Sequence, residues 1–326
     1  MAELGVQIET FPLRHHFTIS RGRKTETVVV LATLRDGEIV GRGECCPNTR
    51  YDETPEDVAA DIRAMAPALR DGLTRDALQD VMPPGAARNA LDCALWDFEA
   101  HAFGVPAWAL AGLNEPFLVE TAFTLSADDP AEMAAAAAAN ATRPLLKLKL
   151  TGTNDLDRVS AVRAIAPETR LIVDANEAWS ATAYEAMVPT FVKLGVELIE
   201  QPFPAGDDDA LGDLARPIPV CADEAFRDCD SLAGLAGKYD LVNIKLDKTG
   251  GLTAALQAAR GARAAGFGVM VGCMVGTSLA MAPALLVAQA AAFVDLDGPL
   301  LLARDRTPGL VVDGSRLSLP CSGLWG

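Results

Sequence analysis

Between Leu145 and Leu150 the chain reads Leu-Leu-Lys-Leu-Lys-Leu, an alternation that puts Lys147 and Lys149 on one face of a β-strand. If buried, such a pair needs carboxylates, a metal or an anionic substrate to offset the loss of water. The plainer reading is two exposed lysines on an edge strand. Upstream, residues 4–10, 27–34 and 38–44 read as strands, the second centred on Thr27-Val28-Val29-Val30-Leu31, which predicts a small antiparallel sheet. Helical patterns follow at 55–70 and 85–102; in the latter Ala87, Ala90, Leu91, Ala94, Leu95 and Phe98 recur at helical spacing. These elements predict an α+β domain over residues 1–110. From Val119 onward, short apolar runs at 119–125, 145–150, 170–174, 196–200, 218–222, 241–245, 268–273 and 292–295 alternate with Ala-rich helical stretches. Eight strands in a βαβ rhythm predict a closed parallel barrel over 111–297, with chemistry at the C-terminal strand ends and residues 298–326 returning to the first domain. The fold class is α/β: a modified (β/α)8, TIM-like barrel with an N-terminal α+β capping domain.

Two segments of the first domain fit neither period. Arg14 to Lys24 is basic in an acidic protein and reads as a mobile loop over a site, or as a solvated hairpin connection. Cys45 to Tyr51 reads as a second loop.

The strand ends carry the chemistry. Strand one ends at Thr124 and strand two carries both lysines; three ends in Asp174-Ala175-Asn176, four in Glu200-Gln201-Pro202, five in Asp223-Glu224 and six in Lys245-Leu246-Asp247-Lys248. Gly272-Cys273-Met274 and Asp295-Leu296-Asp297 follow strands seven and eight. On one rim, Asp174, Glu200 and Asp223 would form an all-oxygen site for a hard cation with open positions, which Mg²⁺ fits best. Strands two and six lie opposite each other in an eight-stranded barrel, so Lys149 and Lys245 would face each other across the mouth. A substrate carboxylate held near Glu200 would place its α-carbon between them, with an amino end toward Asp295 and Asp297.

Composition narrows the partners. A formal charge of −16 disfavours nucleic acid and anionic membranes, which are bound through clustered Lys and Arg. It does not disfavour a small anionic substrate, because a buried metal and a few cations set the field locally. Seven cysteines without metal-site spacing read as reduced thiols; with no signal-like start and no membrane-span run, a cytoplasmic protein is expected. Acidic barrels often assemble, so a homo-oligomer stays open.

Lys147-Leu148-Lys149, Asp174-Ala175-Asn176, Glu200-Gln201-Pro202, Ala222-Asp223-Glu224 and Asn243-Ile244-Lys245 come in the order and strand–helix spacing of the enolase superfamily, muconate-lactonizing-enzyme-like subgroup, which the chain resembles over nearly its whole length. The capping segment Arg88 to Asp97 is similar to that family's as well. Within the subgroup, Asp295-Leu296-Asp297 and Gly272-Cys273-Met274 resemble the dipeptide epimerases, and among these most nearly the L-Ala-D/L-Glu type. The chain departs from many relatives at Glu177 and at Val275-Gly276, positions able to reshape the pocket.

The resemblance implies a Mg²⁺-dependent isomerase acting on a dipeptide through an enolate. Asp174, Glu200 and Asp223 would bind the metal, Lys149 and Lys245 would be the two acid/base catalysts, and Lys147 would neutralise the substrate carboxylate. Asp295 and Asp297 would bind the α-ammonium group, with Thr124, Cys273 and Met274 against the substrate. For a lysine to serve as a base its pKa should fall toward about 7–8. Arg21 is the residue expected to hold a side-chain carboxylate on the second amino acid, with Arg23 and Lys24 as substitutes. Cycloisomerases and o-succinylbenzoate synthases of the same subgroup need no ammonium-binding acids; acid-sugar dehydratases use a barrel histidine, whereas His15, His16 and His101 all precede the barrel. A metal-binding scaffold without catalysis is the alternative of another class.

Overall fold

A computed structural model describes residues 2–326. Three antiparallel strands, β1 (Glu3–Ile19), β2 (Gly22–Asp36) and β3 (Ile39–Cys45), form the capping sheet in that order. Their buried face packs on the helix Ala86–Phe103, which ends at Gly104 in the left-handed conformation with its N–H on Ala100 O. Sheet and helix meet at unusually short range. A Cβ on Gly43 would lie 2.0 Å from Ala90 O, and one on Gly41 2.3 Å from Ala94 O.

The expected helix over 55–70 is two helices, Pro55–Ala64 and Ala66–Arg70. Pro67 at the start of the second has no N–H to continue the first, so the chain breaks at Met65. At 14–24 the mobile-loop reading gives way to its hairpin alternative: β1 and β2 continue through the segment as a hairpin arm, with the register interrupted between Pro12 and Phe17.

Eight strands make the second sheet: β5 (Phe123–Leu125), β6 (Leu145–Lys149), β7 (Arg170–Asp174), β8 (Val196–Glu200), β9 (Val220–Ala222), β10 (Leu241–Ile244), β11 (Gly268–Gly272) and β12 (Phe293–Asp295), in sequence order and parallel. The ring is joined where Ala122 N–H donates to Val294 O at 2.8 Å. The run at 119–125 is not one strand. Its first part, β4 (Val119–Glu120), pairs with β14 (Arg316–Leu317), itself paired to β13 (Val312–Asp313), before the chain changes partner at Thr121 and Ala122.

Period-two alternation builds the barrel interior in layers. Ala122, Leu145, Ile172, Leu198, Cys221, Leu241 and Met270, with Phe293 against them, form an apolar floor fed by every strand. Two residues further along each strand come Lys147, Asp174, Glu200, Asp223, Asn243, Gly272 and Asp295. Outward residues such as Leu146, Leu148, Val173 and Ile199 join the core beneath the helices.

Polar contacts seat the cap. Arg88 donates to Thr249 O and Gly250 O at 2.7 and 3.1 Å, Asn89 to Asp247 at 2.8 Å, and Asp92 accepts from Thr253 N–H at 2.9 Å. The chain end returns to the same helix: Trp325 Nε1 donates to Cys93 O at 3.0 Å and Gly326 N–H to Asp97 at 2.6 Å. Among the described residues no helix is long and apolar enough to cross a membrane, and all seven cysteines are free thiols.

The close sheet–helix approach gives a stability prediction. Gly43→Ala should cost about 2–3 kcal/mol by overpacking, read in denaturant unfolding. Gly5→Ala, whose Cβ would meet nothing nearer than 3.8 Å, should be neutral or slightly stabilising.

Candidate active site

Lys147 and Lys149 are 0% and 7% exposed, which excludes the edge-strand reading. Lys147 Nζ stands 2.7 Å from Asp295, 2.7 Å from Glu200 and 3.2 Å from Asp174. Burial disfavours its charge, but these three carboxylates outweigh burial and hold its pKa well above the usual lysine value. Lys149 Nζ lies 2.5 Å from Asp174, and Lys245 Nζ 2.6 Å from Asp223.

Two effects oppose each other on the Lys245 pKa. Burial does lower it, but Asp223 and then Glu200 reverse the sign and stabilise its ammonium form. Carboxylates dominate the field around this lysine, with Lys147 opposing them.

Asp174, Glu200 and Asp223 end three adjacent strands, are all buried, and bring one oxygen each within 4.8 Å of one another. Burial raises the Glu200 pKa, and the Asp174 charge raises it further. Glu200 Oε2 has no hydrogen bond, although Lys147 lies near it. Three convergent, buried carboxylate oxygens fit a hard divalent cation. On either side of this acidic arc stand Lys149, at the end of β6, and Lys245, just after β10, so the two lysines bracket it.

Several side chains that stand in the sequence motifs without an assigned role hold the arc. Lys248, fully buried, spends its ammonium group on Asp223 Oδ1 at 2.7 Å, Asn243 O at 3.0 Å and the Asp223 carbonyl. Asn243 donates to Glu200 Oε1 at 2.8 Å, in space that exists because residue 272 is glycine; a Cβ there would lie 2.7 Å from its Oδ1. Gln201, with a φ of 36°, accepts from the N–H groups of Asp223 and Ala225 at 2.9 and 3.0 Å. The clues were present: Asn243 is two residues before Lys245, and Lys248 one helical turn after it.

Opposite the arc, Asp297 accepts from Thr124 N–H at 2.6 Å and Asp295 from Thr124 Oγ1 at 3.3 Å. Burial and the adjacent Asp295 charge raise the Asp297 pKa. An acid pair of this kind favours a cationic ligand.

These groups open into a pocket of about 730 Å³, walled by Lys149, Lys245, Asp295, Asp297, Cys273 and Met274. Burial raises the Cys273 pKa, which leaves its thiol protonated. Arg21 reaches the same pocket, but its guanidinium is occupied by Glu224 at 2.7 Å and Glu177 at 3.0 Å. Lys24 also lines the pocket and, among the described residues, forms no ion pair with a carboxylate.

Comparison with known proteins follows the same outline. The chain is 45% identical over 313 residues to the L-Ala-D/L-Glu epimerase of Escherichia coli K12, covering 95% of this chain and 98% of that one. It is 42% identical over 300 residues to an N-acetyl-D-glutamate racemase from a Pseudoalteromonas species, covering 91% and 95%. A crystal structure of an Agrobacterium tumefaciens enolase family member with homology to dipeptide epimerases, holding sodium and L-Ala-L-Glu, superposes with a TM-score of 0.98 at 52% identity over 100% of both chains. Residues 1–112 match the mandelate racemase / muconate lactonizing enzyme N-terminal domain and residues 129–317 the enolase C-terminal domain-like family, so the chain belongs to the mandelate racemase / muconate lactonizing enzyme branch of the enolase superfamily.

Proposed function

We propose that this chain is a dipeptide epimerase that inverts the α-carbon of the C-terminal residue, with Ala–Glu dipeptides as its substrate class and Mg²⁺ as its metal. The observation that carries the reading is the bracket of Lys149 and Lys245 around the Asp174, Glu200 and Asp223 arc, with Asp295 and Asp297 opposite.

The α-proton of a carboxylate is a weak acid because its removal adds a second negative charge to the group. Mg²⁺, when held by Asp174, Glu200 and Asp223, supplies the Lewis-acid stabilisation of that charge. Lys147, fixed beneath the pocket by three carboxylates, adds positive charge beside it. Lys149 and Lys245 approach from opposite sides, one to take the proton and the other to return one to the opposite face; for the reverse substrate the roles exchange. Asp295 and Asp297 hold the α-ammonium group, and Thr124 fixes both acids through its backbone and hydroxyl. Lys24 holds the side-chain carboxylate of the second residue, in place of Arg21, whose charge is already taken by Glu177 and Glu224.

A second reading, racemisation of an N-acylated glutamate, is favoured by the Pseudoalteromonas relative. Such a substrate lacks the ammonium group, so the two readings differ in their need for the acid pair. Cycloisomerase and o-succinylbenzoate synthase chemistry likewise makes no use of it.

Lys149→Met and Lys245→Met should each lower epimerisation by at least about 10³-fold in both directions, while each retains α-proton exchange with one diastereomer only. Turnover at the wild-type rate in either variant contradicts the two-base scheme. Asp297→Asn should raise KM for L-Ala-L-Glu by about tenfold or more and leave any activity on N-acetylglutamate unchanged; equal losses would remove the ammonium assignment. Lys24→Ala should erase the preference for Glu over a neutral second residue. Arg21→Ala should weaken all dipeptides alike, and the opposite pattern returns the side-chain contact to Arg21.

A further inference from the structure

Two segments of the capping domain reach over the pocket: the tip of the β1–β2 arm and the single turn Thr49–Tyr51. The first ends on Asn176 and Glu177 and the second on Glu177, in the turn that follows β7. Ser20 Oγ donates to Asn176 O at 2.6 Å, and Arg21 reaches that carbonyl at 3.3 Å and Glu177 Oε2 at 3.0 Å. Arg50 engages both Glu177 oxygens, Nε to Oε2 at 2.9 Å and Nη2 to Oε1 at 2.8 Å. From the connection after β8, Ala205 N–H donates to Oε1 at 2.8 Å. One carboxylate therefore gathers three segments that are remote in sequence.

This differs from an ordinary surface ion pair, which contributes little. The Glu177 side chain is only 10% exposed, the Arg50 contact is bidentate, and the partners form a continuous line through Arg21 to Glu224. Its backbone is set with equal care. Asn176 and Glu177 have φ of 44° and 67°, and are held by Asn176 N–H on Asp174 Oδ1 and Glu177 N–H on Gln201 O, both at 2.9 Å. Non-glycine residues keep such angles only where the surroundings over-determine them. The turn is thus tied to one member of the acidic arc and to the strand end of another.

The arm has little support of its own. Beyond the break in register only Phe17↔Lys24, Thr18↔Arg23 and Ile19↔Gly22 pair, and a lone two-stranded hairpin is marginal. Thr18 binds Ser126 and Ala127, and His16 binds Asp128, which fastens the middle of the arm but not its tip.

We propose that Glu177 is a positioning residue, a clasp behind the pocket wall that holds both capping segments closed over bound substrate. It lowers substrate escape without taking part in proton transfer. The kinetic consequence rests on the epimerase reading; the conformational one does not.

The test uses Glu177→Ala, Arg50→Ala and the double variant. Trypsin cleavage at the Arg21–Lys24 tip should be about tenfold faster in each, and KM about tenfold higher with kcat within about threefold, as expected when closure is released and the chemistry is spared. The double variant should be no worse than Glu177→Ala, because both remove the same contact. Wild-type cleavage rates and KM overturn the proposal, as does a fall in kcat with KM and cleavage unchanged, or full additivity in the double variant. Should Glu177→Ala fail to fold, Arg50→Ala carries both readouts. Faster cleavage in the variants of a protein that epimerises no dipeptide would refute the functional reading and leave the clasp standing.

Discussion

Burial of ionised side chains inside the barrel mouth is the constraint on which the rest depends. Lys147, Lys149, Lys245 and Lys248 are all less than one-tenth exposed, as are Asp174, Glu200, Asp223, Asp295 and Asp297. Either set alone would carry a desolvation cost of several kcal/mol per ion. Interleaved, each ammonium group has a carboxylate within 2.7 Å. The strand period allows this: the inward face that carries an apolar floor at one step carries charge at the next. Losing one member of such a buried set typically costs about 3–5 kcal/mol because its partner is left uncompensated. Positions that look incidental follow from the same constraint, including Gly272, which makes room for Asn243, and the strained Gln201 that pins Asp223.

The capping domain completes the electrostatics by keeping water out. Its helix is fixed by hydrogen bonds to the segment just past Lys245, so the lysine and the cap share a frame. With the mouth covered, each charge acts through a lower dielectric than in water. A cap on a loose hinge would lose that advantage, which explains why its polar anchors to the barrel are buried.

What the sequence made legible tracks how local the signal was. Alternation around Lys147 and Lys149, and an acid at the end of each of the next three strands, are written in five or six residues and place the arc and its bracket. A hairpin was one of two readings for Arg14–Lys24, but the extension of both strands through it was missed because it rests on cross-strand pairing with a break in register, which no single-strand pattern records. The run at 119–125 hid a change of partner between two sheets. Arg21 was placed near the pocket, but its partners Glu177 and Glu224 lie more than 150 residues away, so only the fold reveals that its guanidinium is engaged by two carboxylates while Lys24, among the described residues, pairs with none. Lys248 was named at the end of strand six but given no role, because a lysine in a short helix after a strand reads as solvated, whereas here it is sealed against Asp223.

The most direct test of the central claim is α-proton exchange. The purified protein with Mg²⁺ and L-Ala-L-Glu in D₂O, followed by NMR, should lose the glutamate α-proton signal while the L-Ala-D-Glu diastereomer appears with deuterium at that carbon. Exchange without the new diastereomer would contradict two-sided proton transfer. Retention of the α-proton across Ala–Glu, hydrophobic and cationic dipeptides, with Mg²⁺ bound, would contradict the enzymatic reading altogether.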